Sequence, residues 1–245
     1  MPSYVFLGVI YMVYFTGDIH GVPWKITKFA NKMKLTSEDT IVILGDVGVN
    51  YYSDEKDDEV KLILNKLGVQ ILCIHGNHEI RPANIPSYNF ECWNGGKVWC
   101  EEKYKNLKFA KDGEIYDIED KRYIAIGGAY SVDKYYRQMR GYGWWEDEQP
   151  SDEVKKYVEK QLSENKIDVI LSHTCPCKYE PVDMFLPGID QSKVDKSTEE
   201  WLDKIDETFD YSNWLCGHWH TDRNVGKIHF LFDTWKSSDN LLLGR

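Results

Sequence analysis

Val13-Tyr14-Phe15-Thr16-Gly17-Asp18-Ile19-His20-Gly21 is the stretch whose reading decides the fold. Its first four residues are apolar or β-branched and predict a buried strand. Gly17 and the turn-forming Asp18 end that strand. Asp18 and His20 are two apart in an extended segment, so their side chains leave the same face. A carboxylate and an imidazole on one face at a strand end are a candidate pair of metal ligands. Short motifs of this kind also occur by chance, so the assignment depends on partners elsewhere in the chain.

The pattern recurs. Thr40-Ile41-Val42-Ile43-Leu44 is a second apolar run, ending at Gly45-Asp46-Val47-Gly48, and Val69 to Ile74 is a third, ending at Gly76-Asn77-His78-Glu79. Pro23 suits the first turn of a helix that carries Trp24, Phe29 and Met33 on one face and ends near Leu35. Ser53 can cap a second helix, with Asp54 and Glu55 in its first turn, Val60, Leu62, Ile63, Leu64 and Leu67 along it, and Gly68 as its stop. Strand, motif and helix in repetition predict a mostly parallel α/β sheet with functional groups at the C-terminal strand ends.

The middle of the chain differs. Short β-like segments near 97–100, 106–110, 114–118 and 122–126, with turn signals between them, predict antiparallel strands of a second sheet. Gly127-Gly128-Ala129 opens a polar, aromatic stretch to about Pro150. Ser151 starts a helix to about Asn165, and Ile167 to Leu171 is a strand ending at Ser172-His173. An irregular segment covers 174–196, and Ser197-Thr198-Glu199-Glu200 reads as a capping box opening a short helix. Asn213 to Cys216 is a strand ending at Gly217-His218-Trp219-His220, and Ile228 to Phe232 is a closing strand. No repeat or linker divides the chain, so residues 1–245 are expected as one domain, with 1–11 a candidate N-terminal extension.

Composition narrows the class. Hydrophobic content of 42% and charged content of 29% are those of a soluble globular chain. The net charge of −10 argues against a stable complex with long nucleic acid, which needs many Lys and Arg. It leaves room for a nucleotide held through divalent cations. The apolar run from Tyr4 to Tyr14 is shorter than the ~20 residues of a spanning helix. It also lacks the flanks of a signal peptide, so no membrane partner is expected. Six cysteines without a C-x-x-C pair or secretory signal suggest reduced thiols and a cytoplasmic protein. Cys175-Pro176-Cys177 reads as a tight turn.

Of the seven histidines, His20, His78, His173, His218 and His220 follow predicted strands. With Asp18, Asp46 and Asn77 they make a mixed N/O donor set that zinc, manganese and iron accept. The set exceeds one closed structural site and suffices for two adjacent ions with open positions, a catalytic arrangement. His75 and His229 fall within strands and are assigned to packing or solvent.

Gly17-Asp18-Ile19-His20, Gly45-Asp46, Gly76-Asn77-His78-Glu79, His173 and Gly217-His218-Trp219-His220 resemble, in order, the five signatures of the calcineurin-like metallophosphoesterases. The resemblance spans residues 17–220 and looks most like stand-alone bacterial or phage members. It implies a four-layer α/β/β/α sandwich of two mixed sheets. It also implies one ion on Asp18, His20 and His220, another on Asn77, His173 and His218, and Asp46 bridging them. The implied cofactors are two divalent or transition-metal ions, Mn, Fe or Zn. The implied reaction is hydrolysis of a phosphodiester or phosphomonoester by in-line attack of a metal-bridging hydroxide. A nucleotide, cyclic nucleotide or other small phosphate ester is the expected substrate. His78 adjoins a ligand and is placed to protonate the leaving oxygen or stabilise charge, while Glu79 supports the shell.

One departure matters. The protein-phosphatase branch continues its second motif with an Asp that orients the catalytic histidine and an Arg that grips phosphate. Here Val49 and Asn50 stand instead, which weakens a phosphoprotein-phosphatase reading and leaves the partner of His78 open. A non-catalytic scaffold is the other alternative, and the complete ligand set speaks against it. Tyr130 to Trp145 interleaves six aromatic residues with Lys134, Arg137 and Arg140. Its rings either pack the segment onto the sheet or form a substrate wall in which Arg137 or Arg140 reaches the phosphate.

Overall fold

The computed structural model describes residues 12–52 and 54–242; the candidate extension 1–11 and the candidate cap Ser53 lie outside them. The opening strands are β1 (Val13–Thr16), β2 (Thr40–Ile43) and β3 (Gln70–Cys73), linked by helices α1 (Trp24–Met33) and α2 (Glu55–Asn65). The three strands are parallel and in register, Val13 beside Thr40 and Thr40 beside Gln70. A meander follows, of β4 (Tyr88–Trp93), β5 (Gly96–Glu101) and β6 (Leu107–Ala110), then a hairpin of β7 (Ile115–Ile118) and β8 (Lys121–Ile126). The rest is α3 (Lys134–Arg140), α4 (Asp152–Glu164), β9 (Val169–Ser172), α5 (Ser197–Thr208), β10 (Asn213–Cys216), β11 (Arg223–Val225), β12 (Ile228–Phe230), β13 (Lys236–Ser237) and α6 (Ser238–Leu242).

Two mixed sheets result, ordered β13-β1-β2-β3-β6-β5-β4 and β11-β12-β10-β9-β8-β7. Alternation along each strand sorts the core into layers. Phe15, Val42, Leu44 and Leu72 meet Tyr123, Ala125, Leu171 and Leu215 between the sheets. Ile41, Ile43 and Ile71 face outward onto Ile26 and Ala30 of α1 and Leu64 of α2. Ile124, Ile170 and Trp214 face Val158 and Leu162 of α4 and Trp201, Leu202 and Ile205 of α5. The molecule is therefore the expected α/β/β/α sandwich. No helix among the described residues is long and apolar enough to cross a membrane.

Four expectations are corrected. The segments near 97–100 and 106–110 complete the first sheet rather than the second. β6 takes the free edge of β3, with Leu107 beside Ile71, and β5 pairs with β6. Turn signals mark where a chain reverses, not which open edge it joins. On α1 the buried residues are Ile26 and Ala30, whereas Trp24 is 62% and Met33 44% exposed. The compact pair one turn apart lies flat on the sheet, and of the expected face only Phe29 is covered, stacked on Trp235 at 3.6 Å. Pro23 is the N-cap of α1 rather than part of its first turn. No capping box forms on α5. Its N-cap is Lys196, the Ser197 N–H donates to Asp195 Oδ1 at 2.9 Å, and Glu199 turns inward.

Glu199 is 4% exposed in the first turn of α5, and burial pushes its carboxyl up from 4.5 to about 7. The folded protein keeps a proton that the unfolded chain releases near 4.5. Stability from this group is thus present below that pH and lost as pH rises to about 7. Glu199→Gln should abolish that loss, which amounts to on the order of 3 kcal/mol between pH 4.5 and 7. Urea unfolding of both proteins at pH 5 and pH 8 checks this; parallel pH profiles would contradict it.

Candidate metal centre

Parallel pairing brings the C-terminal ends of β1, β2, β3, β9 and β10 to one edge of the sandwich. Asp18, His20, Asp46, Asn77, His173, His218 and His220 all follow those ends. The loops interlock so closely that several glycines are the only residues that fit. A Cβ on Gly76 would lie 2.0 Å from Asp46 Oδ1, on Gly45 2.0 Å from His173 Nδ1, and on Gly217 2.4 Å from Asp18 Oδ1. His20, Asp46, His218 and His220 themselves adopt left-handed backbone, with φ of 46, 44, 64 and 47°. Non-glycine residues in that region cost conformational energy and persist where the surroundings hold them.

Each carboxylate has one oxygen tied to another loop. Asp18 Oδ1 accepts the His218 N–H and Asp46 Oδ1 accepts the His78 N–H, both at 2.9 Å. Asp18 Oδ2 is left 3.2 Å from His220 Nε2 and 3.8 Å from His20 Nε2. Asp46 Oδ2 lies 4.0 Å from His20 Nδ1 and from His78 Nε2, while its Oδ1 is 3.5 Å from His173 Nε2. Two overlapping groups of ligand atoms result, Asp18 with His20 and His220, and Asp18 with Asp46 and His173, each within 4.8 Å. Asp18 is common to both, and Asp46 reaches toward the first through His20.

Ring nitrogens and oxygens able to ligate an ion converge there. His173 Nδ1 is 2.8 Å from the Leu44 carbonyl, which only accepts, so that nitrogen carries the proton. His173 Nε2 is the nitrogen left facing Asn77 Oδ1, at 2.8 Å. Nε2 atoms of His20 and His220 approach to 2.9 Å. Burial holds His218 well below the usual imidazole range, hence neutral. Burial pushes the Asp18 and Asp46 carboxyls up, but the contact of His220 with Asp18 and of His173 with Asp46, with the other imidazoles, more than offsets it and keeps both ionised. Imidazoles, carboxylates and an amide oxygen aimed at shared space fit metal ions. Behind them Glu79 accepts the Gly76 N–H at 3.0 Å and the Gly48 N–H at 3.1 Å, and burial, with Asp46 adding to it, drives its carboxyl up to about 8.

Other residues fall as follows. Burial lowers the pKa of His78, and its Nδ1 is enclosed without a hydrogen-bond partner. Val49 lies in the core and Asn50 Oδ1 accepts the Tyr88 hydroxyl at 3.0 Å. Arg137 pairs with Asp133 at 2.8 Å and lines a cleft of about 440 Å³ with His20, His78, Tyr51, Tyr52 and Lys56. Arg140 instead lies over the Tyr136 ring, 5.5 Å from its centroid, on exposed α3. His75 is buried elsewhere, and His229 sits between Asn213 and Asn224 at 2.9 and 2.6 Å. Beyond His78 is a second cavity, about 280 Å³, walled by Met184, Phe185, Leu186 and Trp219. Sequence reasoning passed over this wall, although Met184-Phe185-Leu186 is an apolar run within a polar segment.

The interlock predicts the effect of one methyl group. Gly76→Ala should push Asp46 aside, costing about 1–3 kcal/mol as overpacking does, and should lower metal uptake. Gly141, whose Cβ would meet open space, is the control: Ala there should leave metal uptake unchanged. Thermal unfolding and plasma mass spectrometry read both quantities.

The calcineurin-like phosphoesterase family model matches residues 11–222. No curated protein matches the chain in sequence. Among solved structures, the chain is similar to the protein of unknown function AQ665 from Aquifex aeolicus, at 17% identity over 67% of this chain and 81% of that one, with a TM-score of 0.35. It is also similar to the phosphopantetheinyl hydrolase PptH from Mycobacterium tuberculosis, at 14% identity over 92% and 89%, with a TM-score of 0.49. The family match covers β1 to β10 and every strand end that bears the clustered side chains, and the chain belongs to the calcineurin-like phosphoesterase family.

Proposed function

We propose that the protein is a dinuclear metal-dependent phosphoesterase acting on a small phosphate ester. Asp18, His20 and His220 would hold one ion, Asn77, His173 and His218 the other, and Asp46 would serve both. The observation that carries the reading is the buried approach of His173 Nε2 to Asn77 Oδ1 at 2.8 Å and to Asp46 Oδ1 at 3.5 Å, three atoms able to ligate an ion, each from a different strand end. The donor set suits manganese, iron or zinc. Two such ions supply an activated water and neutralise charge on the phosphate.

The chain's own groups do the rest. His78 borders both the polar cleft and the apolar cavity, so it stands where a leaving oxygen departs in either direction. As an imidazolium, protonated on both nitrogens, it would give the Nε2 proton to the leaving oxygen and keep the one on Nδ1, which has no hydrogen-bond partner. Arg137, fixed by Asp133 and by the Gly143 carbonyl at 3.2 Å, presents its edge to the polar cleft. The apolar cavity takes an uncharged part of the substrate. The engagement of Asn50 with Tyr88 leaves the phosphoprotein-phosphatase reading without its phosphate grip.

Reconstitution with manganese, followed by assay on bis-p-nitrophenyl and p-nitrophenyl phosphate, tests the reaction class; no turnover of either would refute it. Asp46→Ala should lose metal and activity together. His78→Ala should keep the metal and lower kcat roughly 10²–10⁴-fold, with a smaller loss on p-nitrophenyl than on alkyl esters. An equal loss on both would mean charge stabilisation rather than proton transfer.

A further inference from the structure

We propose that Ser131 and Glu148 are positioning residues that decide which end of the Asn77 amide faces the metal centre. The inference rests on the ligand role proposed for Asn77. The two ends of a carboxamide have nearly the same shape, and only hydrogen bonding distinguishes them. Only the oxygen offers a lone pair to a cation. An NH2 turned to the same place would repel it.

The three residues form a buried chain with one permitted direction. Asn77 and Ser131 are 1% exposed and Glu148 3%. The Ser131 N–H donates to Glu148 Oε1 at 3.1 Å, and the Ser131 hydroxyl donates to Glu148 Oε2 at 2.6 Å. A carboxylate accepts only, so both donors of Ser131 are committed. Its oxygen can then only accept, and it does so from Asn77 Nδ2 at 2.8 Å. With the NH2 held there, Oδ1 must point the other way, to 2.8 Å from His173 Nε2.

The chain is anchored at its far end. Arg81 donates through Nε to the Asp147 carbonyl at 2.6 Å and through Nη1 to Asp112 at 2.7 Å. Glu148 lies against Gly128, where a Cβ would come within 2.3 Å of the Glu148 carbonyl oxygen. The polar, aromatic stretch after β8 thus begins and ends at this relay.

Glu148→Gln should reverse the direction. The single amide oxygen serves the Ser131 N–H, and the new NH2 faces Ser131 Oγ. The hydroxyl proton then turns to Asn77, and the Asn77 NH2 turns to the centre. Ser131→Ala removes the restraint without reversing it. Asn77→Asp has an oxygen at both ends, so in the Glu148→Gln background it can accept from Ser131 and still face the ion. In the otherwise natural protein it sets a carboxylate against a hydroxyl already committed to Glu148.

The test titrates the full chain with manganese alone and reads occupancy by plasma mass spectrometry against a competing chelator. The unfolding temperature of the metal-free protein is recorded for each variant. Glu148→Gln and Ser131→Ala should each weaken one of the two sites about 10–100-fold, the range for outer partners of metal ligands, and leave the other site unchanged. Adding Asn77→Asp to Glu148→Gln should recover at least about tenfold of that loss, which general damage would not allow. Two full-affinity sites in Glu148→Gln, equal weakening of both sites, or no recovery in the double variant would overturn the inference alone. Natural protein that binds no metal would overturn the proposed function with it.

Discussion

Two hydrogen bonds, from the His218 N–H to Asp18 and from the His78 N–H to Asp46, hold the strand-end loops to one another. Each joins a carboxylate on one strand end to the backbone of a loop 200 or 32 residues away. Each uses one oxygen and leaves the other directed at the imidazoles. The arrangement therefore solves two problems at once. Buried carboxylates need donors, and the loops need fixed separations. The missing side chains at Gly45, Gly76 and Gly217 are the same constraint seen from the other side, because the space is already taken by His173, Asp46 and Asp18.

Such a site works against the stability of the fold. Four non-glycine residues sit in left-handed backbone, and two carboxylates and a glutamic acid are buried. The apolar layers offset these costs. Ile41, Ile43 and Ile71 on one side of the first sheet, and Phe15, Val42, Leu44 and Leu72 on the other, are almost wholly buried. The strands that carry the site are thus enclosed on both faces, as parallel strands usually are. The strain collects at their ends, where no ladder partner competes.

That enclosure also explains what was legible in the sequence. A parallel strand buried on both faces reads as an unbroken apolar run, so Thr40 to Leu44 and Val69 to Ile74 announced themselves, and a Gly-Asp or Gly-Asn after each marked the site's edge. β4 did not, because as an edge strand it is largely exposed and its Phe90 stacks on Trp99 instead of entering the core. The sheet to which β5 and β6 belong was hidden for a different reason. Pairing is decided by which edge β3 leaves open, a property of the assembled sheet. The face of α1 differs from Trp24, Phe29 and Met33 because the close contact with the sheet selects Ile26 and Ala30. Ser131 and Glu148 carry no motif, and their part emerges only from the direction of three consecutive hydrogen bonds.

The charges around the centre link the phosphate reading to the two ions. Arg137 is neutralised by Asp133, and Lys196, beside the apolar cavity, by Glu180 at 2.5 Å. Of the cations lining the two spaces, Lys56 is left, lying over the Tyr52 ring at 4.4 Å. Against it stand Asp18 and Asp46, both held ionised, in a chain of net charge −10. The two carboxylates therefore work against a phosphate dianion at the place where the histidines converge. Divalent ions on those ligands invert the sign of the site. A phosphate ester and a pair of metal ions are thus one proposal rather than two. On that proposal the charge would be met at the centre, and the remaining recognition would fall to the uncharged walls, Phe185 stacked on Trp219 on one side and Tyr51 against Tyr52 on the other.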